Sequence, residues 1–145
     1  MGKSIFAKIV TALPVLALLA PHGAGAASMT VTVEGLRSDD GYVRIAIYDS
    51  PERFPDRKAV FRLASIPSQD HKAQAVFTGL APGRYAVAVH HDEDKDEEFD
   101  MFLFLPVEGY GFGNDAPVVL GPPSFDDAAA DVGVDGAELV VHIRY

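Results

Sequence analysis

The densest chemistry in the chain lies in one stretch, His91-Asp92-Glu93-Asp94-Lys95-Asp96-Glu97-Glu98-Phe99-Asp100, where seven acids and one lysine fall between Asp92 and Asp100. Asp92, Asp94 and Asp96 are spaced as positions 1, 3 and 5 of an EF-hand-type calcium loop. Glu98 falls at position 7, which offers a backbone carbonyl, Phe99 is the apolar residue at 8, and Asp100 is the oxygen donor at 9. Hard oxygen donors on alternate residues of a curled loop are what calcium requires, and the cation offsets the repulsion between the carboxylates. Two positions depart from the pattern. Glu97 stands where glycine makes the sharp turn, and Leu103 stands where a bidentate glutamate closes the shell. The expectation is a weak calcium site, with a dissociation constant on the order of 10⁻⁴–10⁻³ M. The plain alternative is a solvated acidic loop. Zinc is not the expected metal, because His90 and His91 are neighbours on a strand and point to opposite faces.

Other chemistries find less support. His91 beside Asp92 is a candidate general base for a hydrolase, although a lone histidine at a strand end also serves as a structural group. Carboxylates are numerous enough for the pair a glycoside hydrolase needs, but abundance is not geometry. Ser124 has no G-x-S-x-G setting. Gly109-Tyr110-Gly111-Phe112-Gly113 precedes no apolar helix and carries no lysine, so it is no phosphate loop. The chain has no cysteine, which excludes disulfides, thiol nucleophiles, cysteine zinc sites and iron–sulfur clusters.

The elements that must position this loop read as short strands. Met29 to Leu36 alternates, with Met29, Val31 and Val33 on one face; Tyr42 to Tyr48 does the same with Val43, Ile45 and Ile47. The turn chemistry of Ser38-Asp39-Asp40-Gly41 between them predicts a hairpin. Pro51 and Pro55 interrupt the chain, and a helical turn is expected from Asp56 to Leu63, then a loop from Pro67 to Lys72. Ala73 to Leu80 is a strand with Ala73, Ala75 and Phe77 on one face. Ala81-Pro82-Gly83 is a tight turn, and Arg84 to His91 places Tyr85, Val87, Val89 and His91 together. The small residues Ala86 and Ala88 on its other face predict close approach by another element. Phe99 to Leu105 reads as a strand or buried loop, and Pro106 to Pro123 as a long irregular connection, of a kind that is often functional. Ser124 is the expected N-cap of a short helix to Ala130. Ala137 to Tyr145 is the closing strand, with Leu139, Val141 and Ile143 facing inward.

At 145 residues the chain fits one domain, and 48% hydrophobic residues rule out a disordered one. A net charge of −9 argues against nucleic acid and anionic lipid as partners. Lys3 and Lys8, the apolar run Ile9 to Ala20 and the small residues of Ala24-Gly25-Ala26 predict a secretory signal peptide over 1–26. The run is too short for a membrane helix. The product would be an exported, periplasmic or extracellular domain over 27–145, with no membrane anchor after cleavage. The fold expected is all-β: a small antiparallel sandwich of immunoglobulin or transthyretin-like type, with about seven strands and a long irregular loop. A small open barrel is the alternative. The segment Val76-Phe77-Thr78-Gly79-Leu80-Ala81-Pro82-Gly83-Arg84-Tyr85-Ala86-Val87 resembles the F-x-x-L-x-P-G-x-Y-x-V signature of transthyretin-like and carboxypeptidase-regulatory-like sandwiches. There the tyrosine packs at a sheet corner and its hydroxyl finds backbone.

Several segments together resemble an exported bacterial family known only as domain of unknown function 2141. They are Gly35-Leu36-Arg37-Ser38, Ala46-Ile47-Tyr48-Asp49-Ser50 with Phe54-Pro55, Leu80 to Val89, His91-Asp92-Glu93, Glu108 to Ala116, and Gly121 to Ala128. The resemblance implies a small exported sandwich and no established activity. It also implies that His91, Asp92, Asp94, Asp96 and Asp100 gather at the acidic loop, where the family pattern H-D-x-N-x-N-G-x-x-D has asparagine at Asp94 and Asp96 and glycine at Glu97. Tyr110, Phe112, Asn114 and Asp115 form a second cluster, in a loop packed beside the first. Two function classes follow. One is a non-enzymatic envelope module that binds a sugar, peptide or partner protein through Tyr110 and Phe112 in the 106–123 loop. The other is a periplasmic hydrolase using His91 with neighbouring carboxylates. Burial of His91 against the sandwich would favour the module; exposure in a concave site would favour the enzyme.

Overall fold

The computed structural model describes residues 26–99, 101–102 and 105–145. The signal-peptide segment up to residue 25, and Asp100 and Leu103 of the acidic loop, lie outside the described residues. The strands are β1 (Ala27–Glu34), β2 (Tyr42–Tyr48), β3 (Arg62–Ile66), β4 (Lys72–Leu80), β5 (Gly83–Asp92), the two-residue β6 (Met101–Phe102) and β7 (Leu105–Pro106), β8 (Gly109–Phe112), β9 (Ala129–Val132) and β10 (Ala137–His142). A 3₁₀ turn (Gly113–Asp115) and one helical turn, α1 (Phe125–Ala128), are the described helical elements.

Two sheets form a β-sandwich, and they do not close into a barrel. One is three-stranded in the order β10-β1-β4; the other is five-stranded, β3-β2-β5-β8, with β9 also pairing β5. The alternating strands supply the core between them. Met29, Val31 and Val33 of β1, Val43, Ile45 and Ile47 of β2, Ala73, Ala75 and Phe77 of β4, Tyr85, Val87 and Val89 of β5, and Val141 of β10 are all buried in one cluster. The Tyr85 hydroxyl donates to the Ala81 carbonyl at 2.9 Å across the Ala81–Gly83 turn, so the ring is buried while its polar end is satisfied.

The topology departs from the expectation at several points. β1 and β2 are not a hairpin: β1 sits between β4 and β10, while β2 pairs β3 and β5. Both edges of β1 are taken by strands with their own apolar faces, so the link from Leu36 to Gly41 crosses the sandwich and the two aliphatic triplets meet across the core. The β1–β10 pair is parallel, with Met29 opposite Ala137 and Glu34 opposite His142, so the sandwich is not wholly antiparallel. The expected helical turn over 56–63 is instead two hydrogen-bonded turns, Asp56 to Arg53 and Ala59 to Asp56, followed by edge strand β3. The helix after Ser124 is a single turn capped by that serine, whose hydroxyl accepts from the Asp127 N–H, and β9 follows at once.

β8 explains the glycine–aromatic alternation of residues 109–113. A Cβ on Gly109 would lie 2.6 Å from Ile143 Cγ2, and one on Gly111 2.7 Å from Val141 Cγ1. The glycine face therefore receives the closing strand, and Tyr110 and Phe112 are turned to the opposite face of the five-stranded sheet. There Ala46 and Ala86 make room for a second apolar cluster with Tyr48, Phe125 and Ala128, against which Phe54 and Phe112 pack. The small residues of β5 thus have the close neighbour that their size predicts.

Candidate functional site

The acidic loop leaves the end of β5. His91, the last inward residue of that strand, is fully buried. Its Nε2 lies 2.9 Å from the Asp40 carbonyl and its Nδ1 2.7 Å from the Tyr145 hydroxyl. A carbonyl only accepts, so Nε2 carries the proton and Nδ1 accepts from Tyr145. Tyr145 in turn accepts from the Arg37 backbone N–H at 3.0 Å, and burial holds its phenol above the ordinary range. Both imidazole nitrogens are therefore committed, one to the β1–β2 link and one to the residue that follows β10.

Asp92 is also buried. Asp92, Asp94 and Asp96 each bring a carboxylate oxygen to within 4.8 Å of the others. The loop curls through its own carboxylates: the Asp96 N–H donates to Asp94 Oδ1 at 3.1 Å, the Glu97 N–H to Asp92 Oδ2 at 3.2 Å, and the Glu98 N–H to Asp96 Oδ1 at 2.7 Å. Asp92 Oδ1 is buried and has no hydrogen-bond partner among the described residues. Glu98 is not a member of this carboxylate group. The sharp turn that glycine usually makes is made by Glu97, at φ 66°, a left-handed conformation costly for a residue with a Cβ.

Cationic side chains hold the loop from outside. Arg44 of β2 reaches Glu97 Oε1 at 3.4 Å and Asp92 Oδ2 at 3.8 Å. Arg57 donates to the Glu97 carbonyl. Glu93 is gripped by Arg37, whose Nε donates at 3.1 Å, and by the Ser38 hydroxyl at 2.9 Å; the Arg37 hydrogen bond holds the Glu93 carboxyl below its usual range. Glu108, also buried, accepts from the Glu93 N–H at 3.1 Å and meets His90 Nε2 at 2.5 Å.

Tyr110 and Phe112 belong to β8 and not to an irregular loop. With Arg44, Arg57, His90 and Phe99 they line a cleft of about 220 Å³ on the outer face of the five-stranded sheet. Phe99 packs edge-on against both His90 and Tyr110, so the acidic loop and the cleft share a wall. Asn114 and Asp115 are not part of that wall. Asn114 Nδ2 donates to the Asp127 and Ala129 carbonyls at 3.1 and 2.9 Å. The Asp115 carboxylate accepts from the His142 backbone N–H at 2.8 Å and pairs with His142 Nδ1 at 2.7 Å. Burial works against ionisation of Asp115, but these two contacts overcome it and hold its carboxyl low. Both residues tie the 3₁₀ turn to its neighbours.

Arg44, Arg57, His90 and Glu108 were not singled out by sequence reasoning. The one usable signal was Arg44, the only charged residue in an otherwise apolar strand, Tyr42 to Tyr48. Arg57 lies in a proline-broken loop with no periodicity to place it.

Fold and site together define an all-β sandwich with an acidic loop and an aromatic cleft at one end of its larger sheet. The chain belongs to the family described as uncharacterized protein conserved in bacteria (DUF2141), whose model matches residues 31–139. No curated protein and no solved structure is matched, so the transthyretin-like part of the resemblance gains no support from these comparisons.

Proposed function

We propose that this protein is an exported, non-enzymatic β-sandwich module whose acidic loop takes up calcium and whose outer sheet face binds a ligand. The observation that carries the calcium reading is the convergence of Asp92, Asp94 and Asp96 oxygens within 4.8 Å, headed by a buried carboxylate with one oxygen left unpartnered among the described residues. A buried carboxylate oxygen without a donor is costly, and a hard cation is the partner its neighbours are arranged to share. Export rests on the basic start, apolar run and small-residue triplet before residue 27. The non-enzymatic reading rests on His91, whose ring is buried and whose nitrogens are both occupied.

The test is thermal melting of the purified protein with EDTA, calcium, magnesium or zinc at constant ionic strength. With a dissociation constant of about 10⁻³ M, about 10 mM calcium stabilises the fold by about 1.4 kcal/mol. The melting temperature should therefore rise by several degrees with calcium and not with magnesium. Equal curves in calcium and EDTA would reject the ion site and leave a solvated acidic loop.

A further inference from the structure

We infer that the cleft on the outer face of the five-stranded sheet is a binding site for a small aromatic monocarboxylate. The inference deepens the reading of this protein as a binding module and does not depend on the ion. Its first support is charge. The chain carries 21 acids against 12 lysines and arginines, yet the described residues lining the cleft include Arg44, Arg57 and His90 and no aspartate or glutamate. Arg44 and His90 have acidic partners off the lining, Asp92 and Glu97 for the one and Glu108 for the other, so what the lining itself offers an anion is the Arg44 and Arg57 guanidinium groups.

The second support is unused donor capacity. The Arg44 side chain is 16% exposed. Its nearest carboxylates stand at 3.4 and 3.8 Å, and its guanidinium hydrogen bonds to none of the described residues. Five N–H donors in a fixed fork are suited to grip a carboxylate through two parallel bonds.

The third support is shape. The rest of the wall is aromatic and aliphatic, with the rings supplied by Tyr48, Phe99, Tyr110 and Phe112. Phe99 and Tyr110 stand edge-to-face at 6.2 Å, and Tyr110 and Phe112 at 6.4 Å. An inserted ring extends that arrangement. A volume of about 220 Å³ is small beside ordinary ligand pockets. It suits one ring with a short acid arm, not a sugar chain or an extended peptide.

The experiment is calorimetric titration of the full-length protein with phenylacetate and with its neutral isostere phenylacetamide, each in EDTA and in calcium. Phenylacetate should bind, and the amide should bind at least about tenfold more weakly, the difference between a charged and a neutral hydrogen-bond partner. Arg44→Met should reduce the acid to the affinity of the amide. Ala88→Leu, which fills the cleft from β5, should abolish binding of both while leaving the far-ultraviolet spectrum unchanged. No heat from phenylacetate, equal affinity for acid and amide, or binding that survives Ala88→Leu would each overturn the proposal. The last result would place the ligand elsewhere. The calcium melt is read separately, so loss of phenylacetate binding with calcium stabilisation intact rejects the cleft and not the ion site.

Discussion

The Tyr145 hydroxyl donates to Nδ1 of the buried His91 across 2.7 Å, joining the last residue after β10 to the end of β5. The same oxygen accepts from the Arg37 N–H, and the Arg37 guanidinium lies over the Tyr145 ring at 4.4 Å. Tyr145→Phe keeps the ring and removes both hydrogen bonds, leaving an imidazole nitrogen buried without a partner. The expected loss is about 1–3 kcal/mol, read as a lower urea midpoint with an unchanged denaturant slope. A midpoint within error of the parent would show that water replaces the hydroxyl.

Gly41 is the point where the β1–β2 link passes under the acidic loop. Its φ is 71°, and a Cβ there would lie 1.9 Å from the Asp92 carbonyl oxygen. Gly41→Ala meets a strained conformation and a backbone clash together, so the fold should lose at least about 2 kcal/mol. Because the clash falls on the first residue of the loop, the calcium shift should shrink as well. Gly79, with φ 72° and nothing within 4 Å of a Cβ, is the control. Gly79→Ala should cost only the conformational part, about 1 kcal/mol.

The faces of β1, β2, β4, β5 and β10 were legible because strict alternation marks a half-buried strand, and Met29 to Val33 or Val43 to Ile47 can be buried in only one way. The placement of β1 against β2 was not legible, because local turn chemistry at Ser38 to Gly41 suits either a hairpin or a crossing link. β3 leaves little trace in the sequence, because an edge strand exposing Leu63 carries little periodicity. The alternate spacing of Asp92, Asp94 and Asp96 is legible in the sequence, and in the structure an oxygen of each lies within 4.8 Å of the others. Arg44, Arg57 and His90 come to one wall only through pairing of β2 with β5 and the fold of a proline-broken loop, and no local pattern records that. Asn114 and Asp115 were grouped with Tyr110 and Phe112 by proximity in sequence, but the 3₁₀ turn sends them to the other side.

Acid should weaken the fold through Glu93 and Asp115. Both carboxyls are held below their ordinary values of 4.5 and 3.8, Glu93 chiefly by Arg37, Asp115 by His142 in spite of burial. A depressed folded-state value means that the unfolded chain binds the proton first. The stabilisation is then complete above about pH 4.5 and is lost as pH falls through the folded-state values. Unfolding free energy by urea should therefore be flat from pH 7 to about pH 5 in respect of these groups and fall below that. Glu93→Gln should lower stability at neutral pH and flatten part of the acid decline. An unaltered slope below pH 4.5 would show that Arg37 does not hold Glu93 in solution.

Glu97 pits backbone strain against the ion site. At φ 66° a glutamate costs about 1–2 kcal/mol relative to glycine. Glu97→Gly removes that strain, against a loss of about 0.5–1 kcal/mol from the greater freedom of the unfolded chain. The ion pair with Arg44 is lost too, but the Glu97 side chain is 72% exposed and 3.4 Å away, so it contributes little. The backbone bonds to Asp92 and Arg57 survive, since they use the Glu97 N–H and carbonyl. Without metal the variant should be more stable by about 0.5 kcal/mol. In calcium it should bind more tightly, because a loop free to relax closes on the cation without strain. The partner variant Asp92→Asn with Asp96→Asn should fold and lose its calcium response. A Glu97→Gly protein that is destabilised in EDTA would show the left-handed glutamate to be held by contacts worth more than its strain. An undiminished calcium shift in the double asparagine variant would place the ion away from this loop.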